Sequence, residues 1–336
     1  MKKILLLFAL LTLSAGLWAE TIDGVKYIDA NGVEQTVNNV TKVVSEYEQV
    51  TWGAAGTATW YVVSNDVQLY YGAVCQGDVH LILADEKCLH MFCDEVNEAK
   101  AVIQVMGSAS LTIYGQKGQS GQLKMVGRMS EYGAGIGGND GQSNSNITIN
   151  GGNITIADSS EGASIGGGYR ASGSNITING GNVQVNGTIG GGNFAHGFDI
   201  HINGGNVSAE IIGGSGLENN NIFVATKCLL KADGVEIAHV SGIDIAQELR
   251  CKPQVIIEDL FAKGDAAGYA RGKTEGYNDG YQHGKNDGDA AGYARGKSEA
   301  LGEMGTECEN CPAVEVTKGT KTIKLYNPEK VEFGKE

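Results

Sequence analysis

Proline is nearly missing from this chain, with 3 residues in 336. Basic residues are scarce as well: 25 Lys and Arg stand against 39 Asp and Glu. The first shortage argues against proline-rich disorder and for tight backbone turns, which 51 glycines can supply. The second excludes partners that are themselves negative. Nucleic acid and anionic membrane are both repelled by a chain of formal net charge −14. Helical periodicity is absent from the central repeats, and no apolar run long enough to span a bilayer follows the N-terminal leader.

That leader, residues 1–19, opens with Lys2 and Lys3, continues through an apolar run from Ile4 to Leu13 and ends in small residues at Ala19. It has the pattern of a secretory signal peptide, too short to cross a membrane. Its removal leaves 23 bases and 39 acids, a net charge of −16. The expected location is secreted, periplasmic or cell-surface, with no membrane insertion after the signal is removed and no nucleic-acid partner. Seven cysteines in an exported chain predict up to three disulfides and one leftover thiol. Cys75, Cys88 and Cys93 lie near one another in sequence, as do Cys228 and Cys251.

Three copies of one sentence occupy the centre: Asn146-Ile-Thr-Ile-Asn-Gly-Gly-Asn153, Asn175-Ile-Thr-Ile-Asn-Gly-Gly-Asn182 and Ile200-His-Ile-Asn-Gly-Gly-Asn206. Each runs into an Ile-Gly-Gly word, at Ile165, Ile189 and Ile212, and a degenerate earlier copy joins Leu111-Thr-Ile-Tyr to Ile136-Gly-Gly. Fixed anchors at variable spacing predict a solenoid of short strands whose turns carry insertions. Alternation in Ile147-Thr-Ile149 and Ile176-Thr-Ile178 points isoleucine inward and threonine outward. Upstream runs such as Thr59-Trp-Tyr-Val-Val63 and Val79-His-Leu-Ile-Leu83 read as the first rungs, after a polar lead-in segment over 20–50.

Asn150, Asn179 and Asn203 hold one position of the repeat, and Asn153, Asn182 and Asn206 another. Stacked amides can hydrogen-bond along the column, so these six are expected to form a structural ladder rather than a ligand site. The glycine runs do not read as a phosphate loop, because no Lys-Ser/Thr and no strand-to-helix context follows them.

The Ile-Thr-Ile-Asn-Gly-Gly and Gly-Ala-Ser-Ile-Gly-Gly-Gly words, with Trp60-Tyr-Val-Val63 and Val79-His-Leu-Ile-Leu-Ala-Asp85, resemble those of secreted bacterial right-handed parallel β-helix proteins. Some proteins with similar repeats are described as carbohydrate-binding. The resemblance covers roughly Thr51 to Gly216. It implies an all-β fold with a parallel β-helix over 51–258, and it carries no motif of binding residues onto named positions.

Beyond the solenoid, glycine recurs every four residues from Gly264 to Gly296. On a helix this spacing makes ridges that permit close backbone approach, whereas interior glycines cost about 1 kcal/mol each and favour a tether. The segment 259–305 is therefore expected to be a Gly-x-x-x repeat helix that self-associates through 264–302, with a tether as the alternative. It resembles the repeats of certain helical assembly proteins. Residues 306–336 add Cys308-Glu-Asn-Cys311, which lacks the second pair that zinc needs, and short β runs at Val314-Glu-Val316 and Thr322-Ile-Lys-Leu-Tyr326.

A polysaccharide lyase or hydrolase needs converging carboxylates. Between Ser143 and Gly216 only Asp158, Glu161, Asp199 and Glu210 are acidic, Arg170 is the sole Lys or Arg, and His196 and His201 read as turn or surface residues. No catalytic residue, metal or cofactor is assigned. Tyr169 and Phe194, each just after a glycine triplet, are expected to project from equivalent turns, with Arg170 and Asn193 beside them. Aromatic faces with amide hydrogen bonds suit a polysaccharide. The expected function is a non-catalytic glycan-binding or adhesive module, with an enzyme or a self-assembling structural protein as alternatives.

Overall fold

In the computed structural model the described residues are 20–92, 99–105, 107–126, 130–144, 146–157, 161–214, 216, 220–225, 228–249, 252–259, 314–318 and 321–325. The chain divides into two compact units, residues 1–258 and 259–336. The first is a parallel β-solenoid.

Each coil lays down three short strands. On the threonine face, Ser110–Gly115, Ile147–Ile149, Gly173–Ile178, Gly197–Ile202 and Ile222–Val224 stack in parallel, placing Leu111, Ile147, Ile176, Ile200 and Ile222 in one column. A third face stacks Val67–Leu69, Cys88–Met91, Gln122–Met125, Asn153–Ile156, Asn182–Val185 and Asn206–Ala209. On the glycine face Ile136, Ile165, Ile189 and Ile212 are in register, each followed by a glycine. Period-two alternation drives this arrangement. Ile147, Ile149, Ile176 and Ile178 are fully buried, while Thr148 and Thr177 between them are half-exposed. Burial of such a side chain contributes about 1.5–3 kcal/mol, and only a stacked neighbour makes it available.

The glycine face needs glycine for a geometric reason. Gly137 and Gly166 have φ of +142° and Gly190 of +130°, a region closed to L side chains. A Cβ on Gly166 would also lie 1.8 Å from the Gly190 carbonyl oxygen. The column leaves no room for a side chain at these positions.

The N-terminal coils differ from the repeats. Val50–Val63 and Ala73–Leu83 do not break into short runs; each passes through both the glycine and threonine faces as one bent strand, so that these two faces merge into a single 14-stranded sheet. The bend falls where the register shifts between Gly53 and Ala58. Part of the lead-in is already solenoid: Val40–Lys42 pairs in parallel with Tyr61 and Val62. The rest covers it. Thr21–Ile22 closes the N-terminal edge by antiparallel pairing, and the hairpin Val25–Ile28 with Glu34–Val37 belongs to a second small core with Val62, Ile82 and Tyr114 on the outside of the threonine face. At the other end Val255–Asp259 runs antiparallel along Asn206–Ala209. Ile245 N–H donates to Ile222 O, just before a single-turn helix, Ala246–Leu249. These antiparallel pairings cover Val40–Lys42 at the N-terminal end and Asn206–Ala209 at the other against pairing with other chains.

The disulfide expectation fails at Cys75 and Cys88, which are free thiols. Cys75 points into the core on the glycine-face half of its strand, where burial pushes its thiol up to about 12, whereas Cys88 is half-buried on the third face. Nearness in sequence misleads here because consecutive strands lie on different faces. Cys228 is buried in the core; Cys93, Cys251, Cys308 and Cys311 lie outside the described residues. So do residues 1–19, where a signal peptide is expected, and the Gly-x-x-x repeat. In the second unit Val314–Lys318 pairs antiparallel with Lys321–Leu325.

Candidate functional site: an aromatic corner

After each Ile-Gly-Gly the chain must swing from the glycine face to the threonine face. Backbone bonds tie successive swings together, with Gly141 N–H donating to Tyr169 O at 3.0 Å and Arg170 N–H to Asn193 O at 3.1 Å. Register therefore aligns Asp140, Tyr169 and Asn193, and next to them Gly141, Arg170 and Phe194. The second set shares a left-handed backbone, with φ of +64°, +55° and +63°. Glycine adopts it freely, but a residue with a Cβ loses about 1–2 kcal/mol there. The later coils put Arg and Phe in that place.

The side chains converge. Tyr132, from the loop before Ile136, lies 5.5 Å from the Tyr169 ring at 55°, and Tyr169 lies 6.3 Å from Phe194 at 72°. The Arg170 guanidinium carbon sits 4.8 Å from the Tyr169 ring centroid. Asn193 Nδ2 donates to Glu161 Oε2 at 2.6 Å, and the Asn193 N–H to Glu161 O at 2.8 Å. Phe194 is 67 % exposed. Tyr169 and Phe194 are thus not at equivalent positions, being offset by one residue, yet their rings touch because they come from adjacent coils. All four expected residues are gathered, and Tyr132 and Glu161 join them. Tilted rings beside an amide, a guanidinium and a carboxylate can take the C–H face of a sugar and bond its hydroxyls.

The asparagine columns lie on the adjoining surfaces. Asn179 Nδ2 donates to Asn150 Oδ1 at 2.8 Å and Asn203 Nδ2 to Asn179 Oδ1 at 2.9 Å. Asn153, Asn182 and Asn206 stack in register on the third face, where Asn153 Nδ2 donates to the Gln119 carbonyl at 3.0 Å. A further column, Asn146, Asn175 and Asp199, was not singled out in the sequence. Its members have φ of +66°, +49° and +52°, and Asn175 Nδ2 donates to Asn146 Oδ1 at 3.3 Å. The signal was present: an Asn or Asp, the residue types that tolerate this backbone, stands immediately before each Ile-x-Ile.

Two other clusters are built differently. Tyr47, Tyr70 and Phe92 follow successive third-face rungs and stack at 4.5 Å and 5.4 Å with ring planes 6° and 16° apart. Under the N-terminal hairpin, His80 stacks on Trp60 at 4.2 Å, with its Nδ1 3.0 Å from Tyr114 Oη and its Nε2 3.1 Å from Asp78. Burial pushes the Tyr114 phenol up to about 12. Ser110 donates to Asp78 rather than to His80, so the trio is not arranged as a nucleophile with its base.

The remaining polar residues are dispersed. Asp199 is exposed within its threonine-face strand, Glu210 lends its carbonyl to Gln254, and His201 stacks on Phe223 at 4.8 Å. His196 is half-buried, 6.1 Å from Phe198. Asp158 lies outside the described residues. Among the described residues no three His, Cys, Asp or Glu side chains gather to hold an ion. No protein-family model matches the chain, and comparison with curated proteins and with solved structures gives no match either.

Proposed function

We propose that this is an exported, non-catalytic glycan-binding protein whose β-solenoid is a right-handed β-helix and whose aromatic corner, Tyr132, Tyr169, Arg170, Asn193 and Phe194, holds the sugar. One observation carries the proposal: Phe194 keeps a large ring 67 % exposed on a left-handed backbone. Exposure and backbone are both unfavourable, and their combination is stable only because the surrounding coils enforce it. Strain of this kind concentrates where a protein presents a side chain for use. The shape of the corner, tilted rings on adjacent rungs beside hydrogen-bonding groups, offers apolar ring faces to sugar C–H groups and polar partners to its hydroxyls.

The proposal is tested with the mature chain on a glycan array and by affinity electrophoresis. Phe194→Ala and Tyr169→Ala are each expected to weaken binding at least tenfold, about 1.4 kcal/mol. Unchanged binding in both variants, or soluble products released from the polymer by the wild type, would overturn it.

A further inference from the structure

We infer that the threonine face beside the aromatic corner is the bed for an uncharged, extended polysaccharide. This rests on the glycan-binding proposal and adds where the ligand lies and which charge class it belongs to.

The chain passes from Phe194 into the strand Gly197–Ile202, and from Tyr169 and Arg170 into Gly173–Ile178, so the corner forms one margin of the face. Across the face run two columns: Thr148, Thr177 and His201 are in register and point outward, and Asn150, Asn179 and Asn203 are joined amide to amide, with Asn150 buried, Asn179 half-buried and Asn203 exposed. The Asn175 column separates them from the corner. Strand pairing fixes the step between rungs at about 4.7–4.9 Å. The amides are already oriented by their mutual bonds of 2.8 and 2.9 Å. An amide has two N–H donors and two carbonyl lone pairs, and the column bonds use one of each in Asn179. The hydrogen-bonding lattice is set before any ligand arrives, which lowers the entropy lost on binding.

Charge identifies the occupant. Soluble proteins usually place charged side chains at about a quarter to a third of surface positions. Here the outward positions of three consecutive rungs carry one, Asp199, and no Lys or Arg. Along the margin Glu161 and Asp140 outnumber Arg170, and the whole chain carries −14. A uronic or sulfated polymer would bring like charge to a bed with no cation to receive it. A neutral polymer would match hydroxyls to amides and threonine hydroxyls.

The experiment uses the mature full-length chain and three probes: neutral mannan, neutral β-glucan and polygalacturonate. Retardation of the wild type by a neutral probe and not by polygalacturonate is expected. Thr177→Lys should weaken that binding at least tenfold, and Thr177→Val, which keeps the β-branch and removes the hydroxyl, about threefold to tenfold. Urea midpoints of both variants distinguish lost binding from lost folding. If Phe194→Ala abolishes binding while both Thr177 variants bind as the wild type does, the bed is overturned and the corner stands. Equal or tighter binding of polygalacturonate overturns the charge assignment. If no carbohydrate binds, the bed falls together with the corner.

Discussion

Two aromatic columns stand on one solenoid and solve opposite problems. Tyr47, Tyr70 and Phe92 lie face on face, at 6° and 16°, so each ring covers the next. Tyr132, Tyr169 and Phe194 are tilted by 55° and 72°, and the last is reached through a left-handed backbone. The first column resembles a core turned outward; its rings contribute to stability through contact with one another. The second spends stability on presentation. Exposure alone does not separate them, since Tyr47 is 72 % and Phe194 67 % exposed. Ring orientation and backbone conformation do.

Tyr70→Ala should break the closed column with the largest effect on stability. It removes a half-buried ring and two stacked contacts, a loss of about 2 kcal/mol in urea unfolding, with glycan binding unchanged. Phe194→Gly should move the other way. It relaxes the left-handed backbone and is expected to raise stability by about 1 kcal/mol while abolishing retention by glycan. A destabilised Phe194→Gly would show that the ring is packing, and the contrast between the columns would collapse. The smallest effect is spectroscopic. The hydrogen bond with Tyr47, then burial and the Tyr47 charge, raise the Tyr70 phenol above its ordinary value. A raised phenol favours the folded state below its unfolded value of about 10, and that contribution is lost as pH climbs through the folded value. Ultraviolet titration of Tyr70→Phe should therefore lack one late-titrating component.

What was legible in the sequence followed from strict repetition. Ile-x-Ile and Ile-Gly-Gly fix which side chains enter the bore, because period two and a glycine-only corner leave no other arrangement. The aromatic corner was partly visible, since Tyr169, Arg170, Asn193 and Phe194 follow the glycine words directly. Glu161 entered it from the loop ahead of its own strand, a contact made by stacking, which linear spacing does not display. The Tyr47, Tyr70 and Phe92 column was hidden for the same reason: its rungs share no repeated word. At Cys75 and Cys88 the disulfide expectation failed because proximity in a coil runs between rungs, not along the chain. The two long bent strands were missed because Gly53 and Gly77, which make the bends, read as ordinary strand boundaries.

Those bent strands give the molecule an unequal resistance to opening. In the later coils each face is strung separately, so a rung can detach with the loss of one strand and its neighbour contacts. Where Val50–Val63 and Ala73–Leu83 cross two faces, one detachment strips both faces at once. Amide exchange should then be slow and concerted over the first two coils and graded toward the C-terminal rungs. On that expectation the solenoid is held most firmly at its first coils, and the aromatic corner stands on coils further along.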